Sequence, residues 1–228
     1  MNTTRPTPPR IQNFNPTTTV IFRTFLVLLP LLWLRVEAAV AYAQPPRLEG
    51  RMLQSSWWAP DGSDYDQTVW DSFTLKSDQT ITEIGWRGGF DPAKAGSGGP
   101  VIDFKVRIYP SAAGDTQPNA SGPPLVAFSA GGNAGQVVGG RYGNVTMYDY
   151  RVSLPTPFPA IAGKKYWIEI TAAQKGIPDW GIAVGMGGDG KHFVRLAGTH
   201  GYRIADEDTA FILLTSKPVE PAAPSRQN

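Results

Sequence analysis

Residues 57–73 read WWAPDGSDYDQTVWDSF, with three Trp and four Asp in 17 positions. Two chemistries suit that mixture. An exposed indole stacks on the apolar face of a sugar ring, and clustered carboxylates supply the hard oxygens that calcium prefers. Trp57 and Trp58 precede the first strong strand pattern, where they would line a rim or seal the end of a core. Trp70 has the parity of Ser72 and Thr74, away from Val69, Phe73 and Leu75; Trp167 has the parity of Glu169. These four are the expected ligand-facing aromatics. Asp61, Asp64 and Asp66, joined by Asp208 (or Asp206), are the expected calcium set. Their spacing, D-x-x-D-x-D, is not that of an EF-hand. Pro60-Asp61-Gly62 is also a strong turn signal, so a plain turn is the competing reading. Asp71 has the parity of Phe73 and should face the interior. A carboxylate there must be hydrogen-bonded or paired, so Asp71 is expected as a structural acid, held by backbone N–H groups, Arg87 or Arg141.

The remaining reactive side chains form no recognised set. His192 and His200 lie near Asp189 and the acidic run 206–208, but H-x-x-x-H, H-E-x-x-H and G-x-S-x-G are all absent. Two loop histidines are expected. Separated carboxylates can serve a glycosidase, yet 19 acidic residues provide many such pairs and single out none. Residues 185–190, GMGGDG, lack the Lys-Ser/Thr of a phosphate loop and read as a hairpin. With no cysteine, the chain has no Cys nucleophile, disulfide or thiolate metal site.

The elements that must position these residues are strands. No stretch after residue 43 sustains a 3.6-residue apolar period. Short alternating runs appear instead, broken by the 25 Gly and 21 Pro. In 102–109, IDFKVRIY, the residues Ile102, Phe104, Val106 and Ile108 face one way. In 147–154, MYDYRVSL, the inward set is Tyr148, Tyr150, Val152 and Leu154. In 165–171, KYWIEIT, it is Tyr166, Ile168 and Ile170. Further strands are expected at 69–75, 81–86, 124–129, 180–184, 193–196 and 209–215, the last apolar on both faces and therefore central. Trp86 and Trp180 share parity with Ile84 and Ile182 and should be core. About nine strands of this kind predict an all-β fold: a two-sheet antiparallel β-sandwich, jelly-roll-like. Two long glycine-rich loops, 91–100 and 131–144, are where such a scaffold would bind a ligand.

Three segments follow. Residues 24–34, TFLVLLPLLWL, with Arg23 before them and Ala41-Tyr42-Ala43 after, predict a secretory signal peptide over 1–43. The apolar run is shorter than the roughly 20 residues that a membrane span needs, so no stable insertion is expected after cleavage. The sandwich would occupy 44–216, and 217–228, KPVEPAAPSRQN, would be a disordered tail. The leader holds four Arg and one Glu, so removing it turns the precursor's net charge of +2 into about −1. No basic surface for nucleic acid is left.

The segment QTVWDSFTLKSDQTITEIGWRGGF resembles the opening of secreted bacterial β-sandwich proteins that often carry an exosortase-type (PEP-CTERM) sorting signal. The shared features run in order: Asp71 with Phe73; Trp86 with Gly88; Asp103 to Tyr109; Gly163 to Ile168; Asp179 to Gly181; Asp208 to Phe211. Trp70 and Ser72 replace the small residue and second Asp usual around Asp71. The sorting signal itself is not carried: Val219-Glu220-Pro221 has no apolar span after it. The resemblance implies an extracellular domain and names no activity.

The expectation is therefore a secreted, non-catalytic binding module of the cell surface or matrix. Its partner would be a glycan or surface polymer, and its only inorganic component a single structural calcium ion, if any. The alternatives are a glycan-active hydrolase using loop carboxylates, and a structural protein that packs against its own copies.

Overall fold

The computed structural model describes residues 38–90, 101–196, 198 and 201–216. Residues 1–37 of the expected leader, the loop 91–100, His200 and the tail 217–228 lie outside the described residues. The described residues cluster as one compact unit. Its described elements are all strands: β1 (Ala38–Gln44), β2 (Met52–Gln54), β3 (Ser56–Trp58), β4 (Thr68–Thr74), β5 (Gln79–Phe90), β6 (Asp103–Pro110), β7 (Val126–Ser129), β8 (Val137–Tyr142), β9 (Val145–Ala160), β10 (Lys165–Gln174), β11 (Trp180–Gly185), β12 (Lys191–Arg195), β13 (Tyr202–Asp206), β14 (Asp208–Thr209) and β15 (Phe211–Ser216). Among the described residues no helix is long and apolar enough to cross a membrane.

Two antiparallel sheets pack face to face. The eight-stranded sheet orders β1-β15-β5-β11-β14, with β9 also on β5, β8 on β9 and β2 on β11. The seven-stranded sheet orders β13-β12-β4-β10-β6-β7, with β3 parallel to the end of β10. The expected alternation places the core. Ile84, Trp86, Tyr150, Trp180, Phe211 and Leu213 enter it from the first sheet; Phe73, Phe104, Val106, Ile108, Tyr166, Ile168 and Ile170 enter from the second. Burying each such side chain is worth about 1.5–3 kcal/mol. With no disulfide, this burial carries the fold.

The aromatic centre explains two of the sequence motifs. Trp86 stacks on Tyr150 (5.4 Å, 13°), and Phe104 meets Trp180 edge to face (5.0 Å, 73°). A Cβ on Gly88 would lie 2.2 Å from Trp180 Cζ2. The Trp86-x-Gly88 and Asp179-Trp180-Gly181 motifs are thus two halves of one contact: the missing side chain of Gly88 makes room for the indole.

Four expectations change. Fifteen strands replace about nine, because several are short or lie at edges without an apolar period. The stretch 131–144 contains β8, whose Gly139-Gly140 and exposed Val137 and Val138 hide any alternation. The stretch GMGGDG is not a hairpin: β11 belongs to the first sheet and β12 to the second, so it crosses between them. The break between β13 and β14 crosses back beside it, and Glu207 N–H donates to Gly190 O (2.8 Å). Glu207 sits at φ +84°, clamped by Arg51 through two hydrogen bonds (2.6 and 2.8 Å). Finally, residues 38–44 form β1, paired with β15 from Ala38↔Ser216 to Gln44↔Phe211. The expected cleavage point after Ala43 falls inside that strand.

Candidate functional site

The two crossovers bring together three carboxylates that are distant in sequence. One oxygen from each of Asp71, Asp189 and Asp208 lies within 4.8 Å of the others. Asp71, 1% exposed, comes from β4. It accepts from Ser72 N–H (2.6 Å), from Thr209 N–H and from Thr209 Oγ1 (2.9 Å). Burial pushes its carboxyl up to about 8, against the pull of those donors and with the help of Asp208. The expected structural role and backbone partners fit this geometry, but the arginines do not, since Arg87 is engaged elsewhere. Asp208 starts β14 and is cradled by Gly188 N–H (2.9 Å) and Gly190 N–H (2.7 Å). Asp189, between those glycines, is exposed; it accepts from Lys165 Nζ (2.9 Å), Ser72 Oγ (3.2 Å) and Lys191 N–H (3.1 Å). Burial raises the Tyr42 hydroxyl pKa, and the charges of all three aspartates add to the rise.

A second feature lies on the outer face of the first sheet. A groove of about 400 Å³ runs there, under Pro45 and Pro46 and beside Val137. Gly85 leaves its floor open, since a Cβ there would meet Ile212 Cγ2 at 2.9 Å. Ile212 and Leu214 make the floor aliphatic. Arg87, Asp149 and Arg151 supply the polar groups. Arg87 grips Asp149 in two bonds (2.6 and 2.9 Å) and also donates to Tyr142 Oη (3.2 Å). Arg151 Nε donates to Glu83 (2.6 Å). Burial and Tyr142 act on Arg87 as well, but the Asp149 hydrogen bond dominates and raises its pKa.

The expected site residues scatter. Trp70 and Trp167 do face away from the main core, as their parity requires, but they are only 5% and 2% exposed. They form a satellite cluster with Tyr109 and Phe193, Tyr202 lies against Trp70 (6.1 Å), and Trp167 Nε1 donates to Ser111 Oγ (2.8 Å). As placed, neither indole offers a stacking face. Trp57 and Trp58 are half-buried. Trp58 Nε1 donates to Asp179 (3.0 Å), and its ring stacks on Tyr65 (5.8 Å, 30°), which is 63% exposed. Asp66 accepts from Trp58 N–H (2.9 Å) and Ser63 N–H (2.8 Å), which is the work of a turn. Asp61, Asp64 and Asp66 do not belong to the acidic group around Asp208. His192 is not in a loop: it is buried on β12, and its Nδ1 donates to Glu207 O (2.8 Å). In the sequence Asp189 stands only as a neighbour of the histidines, and nothing there marks its carboxylate partners or the groove. Asp189 sits in a glycine run whose destination no local pattern shows. Arg87, Asp149 and Arg151 carried a signal, the polar parity of their strands.

The family described as Domain of unknown function (DUF7901) matches residues 40–193, so the chain belongs to that family. The match begins within β1. No curated protein matches the chain.

Proposed function

We propose that this DUF7901 member is an exported, non-catalytic binding domain whose ligand is a saccharide lying in the groove on the outer face of the first sheet. One observation carries the reading. The groove sets an aliphatic floor, Gly85, Ile212 and Leu214, beside polar groups already locked into ion pairs, Arg87 with Asp149 and Arg151 with Glu83. A sugar has the matching two faces: apolar C–H groups and directional hydroxyls. Groups held rigid before binding lose little entropy on contact. A glycosidase needs two facing carboxylates. Among the lining residues Asp149 is the single carboxylate, and Arg87 holds it. The leader and the alternation of secreted-type motifs support export. Tyr65 stacked on Trp58 favours a second, smaller sugar contact.

The test is calorimetric titration of the purified domain with neutral and acidic oligosaccharides, followed in parallel by fluorescence of Trp86 beneath the groove. Binding should weaken by roughly tenfold in Arg151→Ala, the loss of about 1.4 kcal/mol. Tyr65→Ala should matter only for longer chains. A panel that produces neither heat nor spectral change overturns the saccharide reading.

A further inference from the structure

The seam between the sheets holds a feature that the groove does not explain. Gln44 ends β1 and is 1% exposed, yet its Oε1 has no hydrogen-bond donor. Leaving a buried acceptor unpaired costs roughly 1–3 kcal/mol. Its other amide atom is committed: Nε2 donates to Tyr42 Oη (3.0 Å) and to Ser72 O (3.3 Å). The Ser72 carbonyl can only accept, which fixes the amide's orientation. That amide borders the carboxylates. A Cβ on Gly188 would lie 2.3 Å from Gln44 Nε2 and 2.7 Å from Asp208 Oδ1, so both flank the small space that Gly188 leaves open. Ser72, whose carbonyl holds Gln44, donates its hydroxyl to Asp189. The amide whose oxygen lacks a donor is thus packed against Asp208, and a cation held by the carboxylates would give that oxygen its missing partner.

We infer that Asp71, Asp189, Asp208 and Gln44 Oε1 form a binding site for a hard divalent cation, best matched by calcium. The donors are all oxygen, with no nitrogen or sulfur to favour zinc or copper. Oxygens within 4.8 Å of one another can share an ion at the calcium–oxygen bond length of about 2.4 Å. Magnesium keeps several waters and demands near-ideal octahedral geometry, so a protein-built set of oxygens suits calcium better. A cleft of about 310 Å³, lined by Tyr42, Ser72, Lys165, Gly188 and Asp189, leads in from solvent. Lys165, on Asp189, is the resident counter-charge that an incoming ion displaces. The ion would join the end of β1, the middle of β4 and both crossovers. This site stands independently of the saccharide reading.

The experiment uses the full chain stripped with chelator, titrated with calcium, magnesium and terbium. Terbium emission excited through Tyr42, which touches Gln44, reports the location. Expected are one calcium per chain with a Kd at or below about 1 mM, the range of extracellular sites, and a melting temperature that climbs with calcium. Asp189→Asn should weaken binding roughly tenfold or more, since affinity follows ligand charge, and should quench the terbium signal. Lys165→Met should tighten binding. Asp189 is exposed and Lys165 is half-buried, and circular dichroism checks that both variants fold. Absence of heat, melting shift and terbium emission up to about 10 mM, beyond the weakest extracellular sites, overturns the proposal. So does binding that neither variant alters, because the ion would then lie elsewhere. Magnesium bound as tightly as calcium overturns the choice of ion.

Discussion

Asp71 shows what one residue can reveal in advance and what it cannot. Its parity in VWDSF is enough to place it inside, and burial is enough to demand donors. The donor residue, Thr209, is 138 positions away and no local pattern points to it. A pH dependence follows. Burial holds its carboxyl at about 8 in the folded chain, against an ordinary value of 3.8. Folding therefore takes up a proton between these values. The contribution is complete below about pH 4 and is lost as pH rises toward about 8, with a slope of up to about 1.4 kcal/mol per pH unit. Denaturant melts at pH 5 and pH 8 with chelator should show stability falling, and Asp71→Asn should flatten that fall. An unchanged slope in the variant would assign the proton to another group. Trp70 and Trp167 teach the same lesson from the other side. Their outward parity was legible; the cover from Phe193 and Tyr202 was not, because those rings arrive from the far end of the chain.

At the scale of elements, strands with a clear two-residue period were read to within a few positions: β4, β6, β10 and β11. Those missed are strands whose residues say little, such as VVGGRY in β8 or the two polar residues of β14. The case with a consequence is β1. Its small residues, AAVAYA, satisfy a cleavage motif and an edge strand equally well. Tyr42 stacks on Phe211 (5.7 Å, 28°) and leans on Phe73 (6.0 Å), so the strand contributes to the core. A chain beginning at Gln44 should melt at least about 3 °C below one beginning at Ala38, a difference of order 1 kcal/mol or more at this length. Scanning calorimetry of the two proteins decides it, and N-terminal mass analysis of the protein isolated from its native cell shows which one the cell keeps. Equal melting temperatures would make β1 dispensable.

For the whole molecule, two sheets share one aromatic core and are linked by crossovers, so unfolding should be a single cooperative event. Tryptophan fluorescence and far-ultraviolet circular dichroism should give coincident transitions. Separate midpoints would mean that the satellite cluster around Trp167 unfolds alone. The sandwich as a class was legible because alternation and turn residues recur along the chain. The groove and the acidic seam were not, because each is assembled by pairing partners far apart in sequence.

The position of β15 carries a consequence of its own. It is the last of the described strands, yet it lies inside the first sheet, with β1 on one side and β5 on the other. Until residues 211–216 have emerged, β1 has no neighbour and β5 shows a bare edge. The chain must therefore wait, open, for its own end. A protein built to that timetable closes only once residues 211–216 are free to pair with both neighbours.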